Sequence, residues 1–67
     1  MQLTINGNVR AFDSTSLNVQ GLVTLLTITG KRIAIELNGE IVPRSLFEST
    51  QLNNGDQLEI VGAVGGG

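Results

Sequence analysis

The sequence predicts an α+β fold, a mixed sheet of about five strands with one helix packed on one face. Three observations carry this. Apolar and polar residues alternate in 2–6, 33–37 and 57–61, the period-two signature of half-buried strands. Between the first two of these, Val19, Leu22, Val23 and Leu26 fall at i, i+3, i+4 and i+7, one face of a helix. Asn-Gly follows a strand pattern twice, at 6–7 and at 38–39. A two-residue hairpin turn of type I′ needs positive φ at both central residues, and Asn-Gly meets that need best.

The elements follow in order. Leu3 and Ile5 share one face of the first strand, and Gln2, Thr4 and Asn6 the other. The turn at Asn6-Gly7 returns the chain through residues 8–12. Asn18 is expected to cap a helix over about residues 19–29, because its side-chain oxygen can accept from a free backbone N–H. Leu17 and Leu22 occupy the positions of a hydrophobic staple, and Gly30 the left-handed position that ends a helix. Gly21, Thr24, Thr27 and Thr29 are weak helix formers, so packing against the sheet must carry this helix. Ile33, Ile35 and Leu37 point inward, Ala34 and Glu36 outward. Residues 40–42 form a short strand that Pro43 stops, since proline cannot donate to a ladder. Residues 45–49 read as one helical turn, 52–56 ("LNNGD") as a turn, and 57–63 as the last strand with Leu58 and Ile60 inward.

The last strand comes from far away in sequence. Placed between the first strand and the strand at 33–37, it closes a core of Leu3, Ile5, Leu22, Leu26, Ile35, Leu37, Leu58 and Ile60. That arrangement is a β-grasp, the ubiquitin-like roll. It puts the last strand in the centre of the sheet, so a flexible glycine tail of about residues 64–67 would leave from the most rigid part of the molecule.

Composition narrows the function. The 67 residues are expected to make a single domain, 1–67, with 40% hydrophobic content, enough for a packed core. With no Cys and no His, a disulfide scaffold and nucleophile–base pairs of the usual kinds are excluded, and no metal site is expected. The carboxylates are dispersed, so the protein reads as no enzyme. Net charge is −2 with cations scattered at Arg10, Lys31, Arg32 and Arg44, and there is no Trp or Tyr to stack on bases. That is no footprint for nucleic acid. No apolar run approaches the roughly 20 residues of a membrane helix, and no secretory signal is visible. The expectation is a cytoplasmic protein, monomeric on its own.

Two stretches carry a family resemblance. "AIELNGEIVPRSLF" followed by "LNNGDQLEIVGAVGGG" resembles the ThiS family of small sulfur carriers of bacterial thiamine biosynthesis, related to MoaD-like carriers and to ubiquitin. The match runs over the whole chain, with residues 37–44 (LNGEIVPR), the turn at 54–56 and the glycine end as its most specific parts.

The resemblance implies a chemistry. An adenylating enzyme (E1-like, as ThiF is) uses ATP and magnesium to convert the Gly67 carboxylate to an acyl adenylate. Sulfur from a sulfur-donating enzyme then replaces AMP to give a thiocarboxylate, which a ThiG-like thiazole synthase consumes. The chain itself binds no cofactor. Gly66 and Gly65 lack a Cβ and suit threading through a narrow channel, with Gly65 closer to a spacer. For docking, the resemblance makes Arg44 a candidate, although it reads equally as a solvated arginine after a turn. Val42 and Val61, with Ala34, are expected on the open face of the sheet among Arg10, Glu36 and Glu59. A molybdopterin-type carrier, a ubiquitin-like modifier and a plain interaction module remain as alternatives, because partners choose the acceptor.

Overall fold

The computed structural model describes residues 1–26 and 32–62. The main sheet has the order β2-β1-β7-β4-β5, built from β1 (Gln2–Ile5), β2 (Asn8–Ala11), β4 (Ile33–Leu37), β5 (Glu40–Val42) and β7 (Gln57–Gly62). The last strand is central: β7 pairs parallel with β1 and antiparallel with β4. This is the β-grasp arrangement that the sequence predicts. Both hairpin turns have the predicted backbone. Asn6 and Asn38 lie at φ 51°, and Gly7 and Gly39 at φ 84° and 90°, positive at both central residues as type I′ requires.

The helix α1 (Val19–Leu25) covers one face of the sheet. Its start shows how a short, propensity-poor segment becomes helical. The first backbone N–H groups of a helix have no partner within it. Here Val19 N–H donates to the Thr50 carbonyl (3.0 Å) and Gln20 N–H to the Phe47 carbonyl (3.0 Å). Gly21 N–H donates to Asn18 Oδ1 (2.7 Å), the predicted cap. Asn18 Nδ2 in turn donates to the Glu48 carbonyl (3.0 Å). The loop at 47–50 therefore seats the helix start, and Phe47, 3% exposed, fixes that loop in the core.

A second, two-stranded sheet was not expected from the sequence. It pairs β3 (Leu17–Asn18) with β6 (Gln51–Leu52). Two residues are too few for an alternation to register, but the pairing buries Leu17 and Leu52 under the helix start. The expected helical turn at 45–49 is a 3-10 helix, Arg44–Leu46, one residue earlier. Pro43 leads into it and accepts from Leu46 N–H (2.9 Å).

The core comprises Leu3, Ile5, Leu17, Val19, Leu22, Val23, Ile35, Val42, Phe47, Leu52 and Leu58. No polar or charged residue is buried among the described residues. Leu26, Leu37 and Ile60, expected in the core, are partly buried and pack against its rim. Leu26 is the C-cap of α1. The rest of the expected helix and its Gly30 stop lie outside the described residues. No helix is long and apolar enough to cross a membrane among the described residues.

Gly21 breaks the propensity rule for a reason visible in the packing. A Cβ there would sit 3.0 Å from Leu17 Cδ1 and 3.2 Å from the capping oxygen of Asn18. Alanine is favoured over glycine in a helix interior by about 1 kcal/mol. Pushing a buried leucine and a cap aside costs more, roughly 1–3 kcal/mol. Gly21→Ala is therefore expected to lower the thermal midpoint, against its propensity. A raised midpoint in thermal unfolding would show that Leu17 yields.

Candidate functional site at the end of the central strand

Three turns hold β7 in place. The Asn6 side chain donates to the Ile60 carbonyl (3.1 Å) and accepts from the Ile60 N–H (2.7 Å). It thereby continues the β1–β7 ladder past the last residue of β1, while Asn6 N–H donates to the Leu58 carbonyl (2.9 Å). Asn38 Oδ1 accepts from Gln57 N–H (3.0 Å), and Asn38 Nδ2 donates to Asp56 Oδ1 (3.1 Å). The turn at 53–56 closes on Asp56, whose Oδ2 accepts from Asn53 N–H (2.7 Å). Asn54 Oδ1 accepts from Gln2 N–H, and Gly55 N–H donates to the Gln2 carbonyl, both at 2.7 Å. Gly55 takes φ 89°, a conformation that side chains rarely adopt. Each Asn-Gly pair thus makes its own hairpin and also clamps the central strand. The sequence signal announced only the hairpin.

The face of the sheet away from the helix follows from register. Residues directly opposite on neighbouring strands project to the same side. Ala34 lies opposite Val61, and Glu36 lies opposite both Glu59 and Ile41. Val61 is on this open face as expected, 60% exposed. Val42 is not. It lies opposite Ile35, points into the core and is 9% exposed. The residue the open face presents from β5 is Ile41, 63% exposed. The signal was available: a two-residue turn at Asn38-Gly39 sets Leu37 against Glu40, which puts Ile41 beside outward Glu36. Arg10 also departs from expectation. It lies opposite Leu3, on the core side of the edge strand, with its guanidinium 5.8 Å from the Phe12 ring centre.

At the end of β7 three segments meet. Arg32, Ile33 and Ala34 from the start of β4, Arg44 from the 3-10 helix, and Val61 and Gly62 line an open pocket of about 340 Å³. Two predicted site residues, Arg44 and Val61, are thus neighbours in space, and Arg32 joins them unforeseen. The Arg44 guanidinium lies 6.0 Å from the Phe47 ring centre, within reach of a cation–π contact. Gly65, Gly66 and Gly67 lie outside the described residues. No group of three metal-ligating side chains occurs among the described residues.

The fold defines a ubiquitin-like β-grasp domain with an open pocket beside the end of its central strand. Comparison with known proteins places it within that class. The ThiS family model matches residues 3–67, and the chain belongs to the ThiS family. The crystal structure of a thiamine biosynthesis protein (ThiS) from Geobacter metallireducens superposes with a TM-score of 0.87 at 38% identity, over 100% of both chains. A thiazole synthase of Paramagnetospirillum magneticum is 45% identical over 67 residues, 100% of this chain but 20% of its own length. The chain thus spans about a fifth of that relative. The ycf40 protein of Pyropia yezoensis is 43% identical over 54 residues, 81% of this chain and 76% of that one.

The clamps on β7 give a direct test. Asn6→Gly keeps the positive φ but removes both side-chain hydrogen bonds to Ile60. A net loss of about 1 kcal/mol is expected, the usual worth of such bonds, read as a lower denaturant midpoint with unchanged slope. An unchanged midpoint would mean that the turn alone, without the clamp, sets the strand.

Proposed function

We propose that the protein carries sulfur for thiazole formation in thiamine biosynthesis, as a thiocarboxylate on Gly67. The observation that supports this most is the family match from residue 3 through the glycine end. The thiazole synthase relative, which contains a segment similar to this whole chain, supports a thiazole synthase as the consuming partner.

The chemistry starts from an α-carboxylate, ionised at neutral pH because its ordinary pKa is about 3.3–3.7. One carboxylate oxygen attacks the α-phosphate of ATP on the adenylating partner, and pyrophosphate leaves. Hydrosulfide supplied by the donor enzyme then attacks the acyl carbon, AMP leaves with the former carboxylate oxygen, and loss of the sulfur's proton leaves the thiocarboxylate. The thiocarboxylate passes to thiazole synthase. ATP and magnesium belong to the adenylating enzyme. This chain is a co-substrate whose contribution is a presented carboxylate. Gly66 and Gly65 keep the approach to it narrow, at the entropic cost of ordering a glycine segment on binding.

Intact-mass measurement of protein from its native cells tests the reading first. A gain equal to sulfur minus oxygen is the expected product, and attachment to another protein would identify a modifier instead. Pyrophosphate exchange with the adenylating enzyme tests the end itself. An alanine appended after Gly67 displaces the reactive glycine and should abolish exchange. Gly66→Val should do the same by bulk, and Gly65→Ala should be tolerated better. All three should unfold at the wild-type temperature. Full exchange by the alanine-extended protein would sink the carrier reading.

A further inference from the structure

We infer that Asn38-Gly39 is a self-modification site: the fold guards it, and its deamidation loosens the central strand and opens Asn6-Gly7 to the same reaction. The inference goes beyond the carrier reading and does not rest on it.

The chemistry is local. The backbone nitrogen that follows an asparagine can attack that asparagine's own side-chain carbonyl carbon, and glycine, with no Cβ, shields the nitrogen least. At 38–39 a bond forms between the Gly39 nitrogen and Asn38 Cγ. The bond from Cγ to Nδ2 breaks, and ammonia leaves with the Gly39 amide proton. The resulting succinimide takes up one water, which opens one of its two carbonyl–nitrogen bonds. One product is aspartate at 38. The other is isoaspartate, whose main chain runs through the side-chain carbon.

Asn-Gly occurs at 6–7, 38–39 and 54–55, and the fold guards the three pairs differently. At 54–55 it ties down the nucleophile, because Gly55 N–H donates to the Gln2 carbonyl (2.7 Å). At the other two it holds the asparagine side chain instead. Both amide ends of Asn6 are bonded to the main chain of Ile60. Asn38 is held by less. Its Oδ1 accepts from Gln57 N–H (3.0 Å), but its Nδ2 donates to a side chain, Asp56 Oδ1 (3.1 Å). Asn38 and Gly39 are exposed, and a bond between two side chains at an exposed turn breaks by rotation, with no movement of the sheet. Of the three asparagines, Asn38 is therefore the one released most often.

Its conversion is felt in β7. Aspartate at 38 keeps the turn, since Asp-Gly suits type I′ as Asn-Gly does. It also replaces the Nδ2 donor by a carboxylate oxygen facing Asp56. Asp56 is held in place there, because its other oxygen accepts from Asn53 N–H (2.7 Å). Like charges then meet where β7 begins. Isoaspartate instead adds a main-chain atom to the turn that sets Leu37 against Glu40, and spoils that register. Either product weakens the hold on the start of the strand whose Ile60 guards Asn6.

The experiment ages the full-length protein at mildly alkaline pH and physiological temperature. Cleavage after Arg10, Arg32 and Arg44 puts the three pairs in separate peptides, 1–10, 33–44 and 45–67. Each gains the mass of water minus ammonia on conversion. Peptide 33–44 should convert first in the folded protein, and its lead should vanish in urea. By intact mass, doubly converted molecules should exceed the product of the single-site fractions. In Asn38→Asp, peptide 1–10 should convert about tenfold faster than in wild type, as a lost bond and an adverse charge favour opening of the strand. Adding Asp56→Asn to Asn38→Asp restores a donor and an acceptor to the contact, and should return that rate to within about twofold of wild type. The inference is overturned if 33–44 does not lead in the folded protein, if Asn6 converts in Asn38→Asp at the wild-type rate, or if the exchanged pair restores nothing. Should Asn38→Asp fail to fold, aged wild-type protein decides alone, and double conversion equal to the product of the single fractions overturns the coupling.

Discussion

Everything in this molecule depends on one insertion, that of β7 between β1 and β4. Without it the described residues hold a β1–β2 hairpin, a β4–β5 hairpin, the two-residue β3–β6 pair, a 3-10 turn and a seven-residue helix, none of which is stable alone. With it, Leu58 joins Leu3, Ile5 and Ile35 in one apolar layer beneath α1. The partners lie far away in sequence, so the closing contacts are made only after a large loss of chain entropy. That places weight on whatever fixes the register of β7. Asn6, Asn38 and Asp56 do so from three turns, with side chains that mimic backbone partners where the ladders run out.

Much of this was legible because local signals agree with the global fold. Period two gave the strands, Asn-Gly the hairpins, and Asn18 with Leu17 and Leu22 the start of the helix. What was missed has physical causes. The β3–β6 pair is two residues long, below the length at which a period exists. Val42 points inward because the two-residue turn at Asn38-Gly39 sets Leu37 against Glu40, and that register puts Ile41 and not Val42 on the open face. Gly21 looked like a flaw because propensity scales see the helix backbone and not the leucine packed against it. The pocket at the end of β7 joins residues 32, 44 and 61, three segments with no shared motif, and only the folded sheet assembles it.

A rigid root also changes what the glycine end can do. A segment leaving a loose edge strand would sample many directions before finding a channel. The central strand is held by β1 and the Asn6 side chain as far as Ile60 and by β4 as far as Gly62, so a segment that follows it starts from a fixed point and direction. The short reach that follows has a consequence for exchange between enzymes. On the carrier reading at least two enzymes receive Gly67 in turn, and the short reach brings each of them close to a patch beside Gly62. Such a patch serves poorly if it binds tightly, because the loaded carrier has to leave the first enzyme to meet the second. Exposed charge beside a small apolar floor suits that demand. It speeds encounter and sets orientation while adding little to residence time, whereas a large apolar face would hold the carrier where its sulfur was loaded.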